Sequence, residues 1–296
     1  MRIGYACLTV GVPATDQKSC RMKNATEARL KELISHNIKS LENIIDYNII
    51  NNIKLFRISS GLIPFGSSPV NVLPWWDIFA PKLSNIGEKI KNSGMRVSMH
   101  PGQYTVLNSP NDAVVNRATE DLNYHARVLD SLGVGTENKI ILHIGGIYYN
   151  KQQGITRFIA NYNYLDDSVK RRLVIENDDK SYNICDVLEI GTMLKIPVVF
   201  DNLHNEINSC DKEKSDAYWI NECQKTWQKK DGKQKIHYSQ QDYAKKPGSH
   251  SGFIRIAEFQ EFCAKLGKKD IDIMLEVKDK NCSAVKCISC LADAKI

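Results

Sequence analysis

Eight short segments rich in branched and aromatic residues predict β-strands along the chain. They are Arg2–Tyr5, Lys54–Ser59, Arg96–His100, Lys139–Ile144, Leu173–Glu176, Pro197–Asp201, Gln234–Tyr238 and Asp270–Glu276. The pattern is clearest in Leu173–Glu176, where three branched apolar residues run straight into a carboxylate and a polar turn. Such a segment is typical of a buried parallel strand that delivers one side chain to the edge of a sheet.

Segments with helical periodicity lie between the predicted strands. They cover Ala25–Ile50, Asn111–Leu132, Tyr182–Leu194 and Ile254–Leu266. Asn111 opens its segment with a residue type that caps helices, and two of the segments end just before a glycine. Strand and helix alternate eight times, and no linker rich in Pro, Gly or Ser divides the chain. The pattern therefore predicts a single-domain α/β protein, a (β/α)₈ TIM barrel over residues 1–296, with a doubly wound open sheet as the alternative.

Composition narrows the class of protein. Of the 296 residues, 42% are hydrophobic and 25% are charged, which is the profile of a globular protein. The formal charge of +6 is compatible with a nucleic-acid partner and equally with many other enzymes. The 9 cysteines are scattered and odd in number, which favours reduced thiols over a disulfide framework.

The chain shows no signal peptide and no apolar run of ~20 residues. We therefore expect an intracellular protein of the cytoplasm, nucleoid or nucleus, with no membrane contact, and we expect a monomer.

The residues that end the predicted strands indicate a shared site. In chain order they are Tyr5, Ser59, His100, His143, Glu176, Asp201, His237 and Glu276. Six of these eight are His, Asp or Glu, although the chain has only 34 acidic residues and 7 histidines. Any one of them could be a structural histidine or a helix N-cap. Together, at one rim of a barrel, they would repel each other and lose hydration unless bound cations offset the charge.

The ligand types predict the kind of metal. Histidine and carboxylate without thiolate suit Mn²⁺, Zn²⁺ or Fe²⁺ and disfavour a structural cysteine-rich zinc site. The set is too large for one ion that keeps an open position, so two ions that share Glu176, with a third nearby, fit better. His204 and His250 offer further ligands. Clustered divalent ions suit phosphodiester hydrolysis, because they lower the pKa of water and stabilise the departing oxygen.

The loop after the sixth predicted strand, Asn202–Lys233, is long and carries basic and aromatic residues. They are Trp219, Trp227, Lys225, Lys229, Lys230 and Lys233. One interpretation is contact with a phosphate backbone and stacking of bases on the aromatic rings. The other is a solvated surface insertion without a binding role.

Motifs spread along nearly the whole chain resemble those of one enzyme family. They are Gly4-Tyr5, Arg57-Ile58-Ser59-Ser60, His100-Pro101-Gly102-Gln103-Tyr104, His143-Ile144-Gly145-Gly146, Glu176-Asn177-Asp178-Asp179, Asp201-Asn202-Leu203-His204, Lys235-Ile236-His237-Tyr238-Ser239 and Met274-Leu275-Glu276-Val277-Lys278-Asp279-Lys280. In this order they resemble the UV damage endonucleases, barrel enzymes related to endonuclease IV. The resemblance implies incision of duplex DNA immediately 5′ of UV photoproducts (pyrimidine dimers and 6-4 photoproducts), leaving a 3′-hydroxyl and a 5′-phosphate.

The same resemblance implies three divalent ions, usually manganese, with zinc or another divalent ion as an alternative. One ion would take His100, His143 and Glu176; a second would take Glu176, Asp201, His237 and Glu276; the third would take His204 and His250. Glu176 or Glu276 would orient the attacking water as a catalytic residue. Asn205 and Ser68 stand where many relatives carry a histidine, a departure that bears on the third ion.

The resemblance also assigns residues to the DNA lesion. Gln103 and Tyr104 take the place of a pair that probes the distorted duplex, and Tyr5 would line the lesion pocket. A tyrosine can fill the gap left by extruded bases, and a glutamine can bond the orphaned partners.

Lys235, the third candidate catalytic residue, faces the same side of its strand as His237. Because an ammonium beside several cations is disfavoured, we predict that Lys235 is neutral or carries a carbamate.

Three other functions compete with this interpretation. A sugar isomerase or epimerase on the same barrel also places Glu, Asp and His around a metal at the strand ends. It would need at most two ions and no base-probing pair. An abasic-site endonuclease would use the same metals on another lesion. A barrel that only binds damaged DNA would not need the complete ligand set.

Overall fold

Eight parallel strands close into a barrel in the computed structural model, which describes residues 1–267 and 269–293. The strands are β1 (Arg2–Cys7), β2 (Leu55–Ile58), β3 (Arg96–Met99), β4 (Lys139–His143), β5 (Leu173–Glu176), β6 (Val198–Asp201), β7 (Lys235–Tyr238) and β8 (Asp272–Leu275). Each strand pairs with the next, and β8 pairs with β1. The predicted TIM barrel is confirmed and the open sheet is excluded. Residue 268 and residues 294–296 of the predicted 1–296 span lie outside the described residues.

Helices connect the strands and cover the outside of the barrel. They are α1 (Glu27–Ile50), α2 (Trp75–Ile78), α3 (Ala80–Asn92), α4 (Asp112–Ser131), α5 (Lys151–Asn163), α6 (Asp167–Lys170), α7 (Ile184–Leu194), α8 (Asn202–Ile207), α9 (Asp216–Gln224), α10 (Ile256–Leu266) and α11 (Asn281–Asp293). All four predicted helices are confirmed to within two residues at each end. The side chain of Asn111 caps α4 by accepting a hydrogen bond from the amide of Ala113. None of the described helices combines the length and apolar character needed to cross a bilayer.

Among the described residues, two small apolar clusters lie inside the barrel. One comprises Ala6, Leu55 and Met274, and the other comprises Ile141, Val174 and Val199. The large core lies instead between the outer faces of the strands and the helices. The interior apolar layer is thin, and charged side chains lie on both sides of it along the barrel axis. The end that receives the C-termini of the strands is called the mouth here, and the opposite end the floor.

The floor is closed by buried ion pairs. Arg96, at the start of β3, donates to Asp272, at the start of β8, over 2.8 Å. Lys139, at the start of β4, donates to Asp231 over 2.6 Å. All four side chains are buried. Removing one partner of such a pair leaves an uncompensated charge, which is strongly destabilising.

The end of the loop 202–233 lies at this floor, away from the mouth, which favours the interpretation of a surface insertion over contact with a phosphate backbone. The indole of Trp227 donates to the carbonyl of Val198, the first residue of β6, and packs under the second interior cluster. Lys225 pairs with Glu222 over 2.7 Å. The physical reason is topology: residues just before a strand of this barrel must lie at its N-terminal end.

One cysteine pair differs from the expected state. Cys185, in the first turn of α7, is joined to Cys210, in the segment after α8. Their Cα atoms are 6.2 Å apart, a separation that a disulfide can bridge. The other seven cysteines are free, as predicted. The expectation that every thiol is reduced is therefore wrong for this one pair.

Candidate metal centre

Glu176 is buried at the centre of the mouth, at the end of β5, and four histidines surround its carboxylate. Its Oε2 lies 3.1 Å from Nε2 of His100 and 3.7 Å from Nε2 of His143. Its Oε1 lies 2.6 Å from Nδ1 of His237 and 4.0 Å from Nδ1 of His204. The four strands and loops that carry these histidines therefore converge on one carboxylate.

The carboxylate of Glu276 lies beside that of Glu176, and both contact His237. Glu276 Oε1 is 3.4 Å from Nδ1 of His237, and its Oε2 is 3.8 Å from Nε2 of His250. Asp201 Oδ1 is 3.7 Å from Nδ1 of His204. With these contacts, all eight residues that were predicted as metal ligands lie in one continuous cluster. Gathering five imidazoles and three carboxylates in a buried space is the arrangement that cations would stabilise.

Two overlapping groups have ligand atoms within 4.8 Å of one another. They are His100, Glu176 and His237, and Glu176, Asp201 and His204. Both contain Glu176, as expected for a carboxylate shared between ions. The grouping of the histidines differs from the one that the resemblance implies: His204 lies against Asp201 and Glu176, whereas His250 lies against Glu276.

The protonation of this cluster is divided when only protein groups are counted. Burial raises the pKa of Glu176, but the charges of His237 and His143 outweigh it and hold that pKa well below its usual range. Burial lowers the pKa of His143 to about 4. Burial also lowers the pKa of His204, but the negative charges of Asp201 and Glu176 have a larger effect and raise that pKa to about 9. The histidines therefore balance the negative charge of the carboxylates only in part, because His204 is protonated at neutral pH whereas His143 is not.

Three buried polar atoms in the cluster have no hydrogen-bond partner among the described residues. They are Nδ1 of His143, Nε2 of His237 and Oδ2 of Asp201. Buried polar atoms are nearly always bonded, so three such atoms on one ligand set need an explanation. Coordination of divalent cations is the explanation that fits nitrogen and oxygen donors without thiolate.

Arg57 is a member of the mouth to which the sequence interpretation gave no role. Arg57 lies on the inward face of β2. Its Nη1 donates a hydrogen bond to Oε1 of Glu276 over 2.6 Å. Burial raises the pKa of the Glu276 carboxyl, but the charges of Arg57 and His237 outweigh it and lower that pKa. A charged residue inside the otherwise apolar run of β2 is the sequence signal that could have identified it.

Lys235 lies inside the barrel, and its Nζ has no partner among the described residues. Burial lowers its pKa well below the usual range, and the neighbouring charge of Arg96 lowers it further. These surroundings favour the neutral amine. Lys235 is two residues before His237 on β7, so it faces the same side of the strand, below the cluster.

Gln103 and Tyr104 lie on the loop between β3 and α4, and both are exposed. The ring of Tyr104 is 73% exposed. This loop forms one wall of a cleft of about 760 Å³ that also reaches His143 and His204. A pair that is to enter a DNA duplex must stand clear of the protein surface, and this pair does.

Tyr5 does not line the mouth, and its predicted role in a lesion pocket is wrong. Its side chain is fully buried, packs 5.2 Å from the ring of Phe56 and donates a hydrogen bond to Oδ1 of Asn48 on α1 over 2.8 Å. The reason is that β1 continues to Cys7. Side chains alternate along a strand, so Gly4 and Ala6 face inward and Tyr5 faces the helices.

Replacing Tyr5 with phenylalanine should lower the free energy of unfolding by about 1–2 kcal/mol, because the buried Asn48 loses its donor. The Michaelis constant for the DNA substrate that the resemblance implies should not change. Urea titration and steady-state kinetics measure the two effects. Tyr104→Phe is the control and should leave stability unchanged, since this ring is exposed. A Tyr5→Phe protein with wild-type stability and an altered Michaelis constant would restore the pocket interpretation.

Comparison with known proteins identifies the family of this chain. The family model for UV-endonuclease UvdE matches residues 1–295. The UV DNA damage endonuclease of Clostridium perfringens is 45% identical over 298 residues, which cover 99% of this chain and 71% of that protein. The crystal structure of SacUVDE superposes with a TM-score of 0.94 at 38% identity, covering 100% of this chain and 99% of that chain.

A more distant likeness concerns the fold alone. Endonuclease IV from Thermus thermophilus superposes with a TM-score of 0.61 at 11% identity, covering 98% of this chain and 99% of that chain. The family model and the C. perfringens relative, by contrast, each match essentially the whole chain. This chain belongs to the UV-endonuclease UvdE family.

Proposed function

We propose that this protein is a metal-dependent DNA repair endonuclease that nicks duplex DNA immediately 5′ of UV photoproducts. The observation that carries the proposal is the buried cluster around Glu176, with its unpartnered ligand atoms, in a chain of the UvdE family. Curated relatives of this chain are named UV DNA damage endonucleases. A sugar epimerase on the same barrel would have no use for the exposed Gln103 and Tyr104.

The residues at the mouth fit divalent cations, and three manganese ions are the proposed set. The ligands would be His100, His143, Glu176, Asp201, His204, His237, His250 and Glu276. When bound, such ions lower the pKa of water and stabilise the charge that develops on the departing oxygen. Glu176 would bridge two ions, because two groups of ligand atoms share it.

The protein groups around the ions supply orientation. Arg57 fixes one oxygen of the Glu276 carboxylate through a 2.6 Å hydrogen bond, and the other oxygen would bind an ion or orient an attacking water. Arg57 also places a positive charge at the mouth, where it is paired with Glu276. Lys235, neutral or carrying a carbamate, would lie below this layer without adding positive charge. An intact-protein mass that shows no added CO₂, together with an ammonium that titrates near its usual pKa, would contradict the proposal for Lys235.

Duplex DNA would be read by the loop after β3. Tyr104 would fill the gap left by an extruded dinucleotide, and Gln103 would bond the orphaned bases. Both residues line the cleft that leads to His143 and His204, so a probed lesion and the scissile phosphate would share one cavity.

The direct test is incubation of a duplex that carries one pyrimidine dimer with protein and Mn²⁺, followed by sizing of both strands. The proposal expects one nick immediately 5′ of the dimer, with a 3′-hydroxyl and a 5′-phosphate, and no cut in the undamaged duplex. DNA binding should weaken steeply as salt rises. Turnover of free ketose sugars without any nick would favour the epimerase. Cutting only at abasic sites would favour the abasic-site endonuclease.

Metal removal should stop incision. After exhaustive chelation we expect the rate to fall by at least about 10³-fold, the scale of a lost electrostatic stabiliser, and to recover on addition of Mn²⁺. Metal content measured on the same samples provides the control. Full activity of a sample shown to be free of metal would contradict the proposal. Mn²⁺ should also raise the melting temperature, because it binds only the folded cluster.

A further inference from the structure

The buried face of α4 carries three polar side chains at the level of the mouth. They are Asp121, Tyr124 and His125, and all are buried. Polar groups on the buried face of an amphipathic helix are costly unless they are hydrogen-bonded. Each of these three is bonded to a loop that enters the mouth. This part of α4 therefore serves as a support for those loops.

Asp121 holds the turn that carries the DNA-probing pair. Thr105 Oγ1 donates to Asp121 Oδ2 over 2.6 Å, and this bond is buried. The amide of Thr105 donates to the carbonyl of Gly102 over 2.9 Å and closes a four-residue turn. Gln103 and Tyr104 are the two central residues of that turn. A single buried side-chain bond thus fixes the base of the otherwise exposed tip.

The ring of Tyr104 lies over the start of the turn. A Cβ atom at Gly102 would lie 2.5 Å from Cε1 of the Tyr104 ring. The ring therefore lies against the backbone of Gly102, and no larger residue fits there without moving it. The bonds of Thr105 to Asp121 and to Gly102 therefore fix the backbone of the turn, and the exposed ring of Tyr104 rests on Gly102.

The support is rigid because α4 is also tied to the preceding loop and to a candidate metal ligand. Ser60 Oγ lies 2.9 Å from Nε2 of His125 and 2.9 Å from the carbonyl oxygen of His100. The hydroxyl of Tyr124 donates to the carbonyl of Ser60 over 2.9 Å. Asp121 therefore cannot shift without disturbing the backbone that carries His100.

We propose that Asp121 and Thr105 form a positioning pair that preorganises the Gln103-Tyr104 turn for reading a lesion. The inference rests on the proposed function, since it assigns a task to the pair that would read the DNA. A turn that is ordered before binding does not lose conformational freedom on binding, and this raises affinity for the distorted duplex. Neither Asp121 nor Thr105 needs to touch the DNA. Lesion recognition thereby depends on a side chain of α4 that the substrate does not contact.

The test compares Thr105→Val, which removes only the hydroxyl, with Thr105→Ser, which keeps it. For a duplex with one pyrimidine dimer, we expect Thr105→Val to raise KM about tenfold, the scale of a lost hydrogen bond to a charged group, with kcat nearly unchanged. Thr105→Ser should restore the wild-type KM. Thr226→Val is the matched control, because the hydroxyl of Thr226 bonds to Cys223 and Val198 at the floor. It should leave KM unchanged.

A double-mutant cycle separates positioning from general damage. If Thr105 acts through the Gln103-Tyr104 pair, then Thr105→Val should add no further rise in KM to a protein that carries both Gln103→Ala and Tyr104→Ala. Asp121→Ala, which removes the acceptor of the same bond, provides the test if Thr105→Val fails to fold. Additive effects, an unchanged KM in Thr105→Val, or a loss of kcat in place of KM would each overturn the inference while leaving the proposed function standing. A wild-type protein that does not cut the dimer duplex would overturn both.

Discussion

Replacing Glu176 with glutamine should reduce the rate of incision by at least about 10³-fold, the scale of a lost electrostatic stabiliser, while DNA binding persists. The substitution keeps the size of the side chain and removes the negative charge at the centre of the cluster. Four histidines lie within 4.0 Å of this carboxylate, and both candidate ligand groups share it.

The measurement is a single-turnover nicking assay paired with a binding titration on the same duplex. Glu206→Gln is the matched control, because Glu206 is an exposed carboxylate on α8, two residues from His204. It should nick at the wild-type rate. Full activity of the Glu176→Gln protein would refute the assignment of Glu176, and loss of DNA binding would mean that the substitution damaged more than the metal centre.

Replacing Asp272 with asparagine should lower the free energy of unfolding by about 3–5 kcal/mol, because the buried Arg96 is left without its counter-charge. Asp272 is fully buried at the floor and accepts from Arg96 over 2.8 Å and from Arg2 over 3.3 Å. The neutral amide can still accept a hydrogen bond, but it does not balance the guanidinium charge. The site at the mouth should keep its activity at temperatures where the protein stays folded.

Urea titration of Asp272→Asn and Asp270→Asn provides the comparison. Asp270 is two residues away and also paired, with the N-terminus and Lys233, but its side chain is 58% exposed. Exposed pairs contribute at most about 1 kcal/mol. If both substitutions lowered the free energy of unfolding equally, burial would not be what makes the ion pairs of the floor stabilising.

The fold and most of the site were predictable because a parallel barrel brings all strand C-termini to one end. Once His100, His143, Glu176, Asp201 and Glu276 had been placed near strand ends, their meeting followed from topology. The same argument applied to the other end of the barrel would have placed Trp227 and Lys233 at the floor, since they lie just before β7.

The errors have local causes. The extension of β1 to Cys7 could not be read from composition, and an error about where a strand ends misplaced Tyr5. Arg57 could have been singled out as a charge in an apolar strand, but its partner Glu276 lies on another strand and is identified only in the structure. The Cys185–Cys210 bond joins two segments that are 25 residues apart in sequence, and no local pattern predicts that approach.

Anomalous diffraction from crystals soaked in manganese tests the metal centre most directly. We expect peaks within coordination distance of Glu176, with His100, His237, Asp201 and His204 around them, and loss of those peaks in Glu176→Gln crystals. A map without manganese at the mouth, or with manganese bound elsewhere while these side chains bond only to each other, would contradict the account.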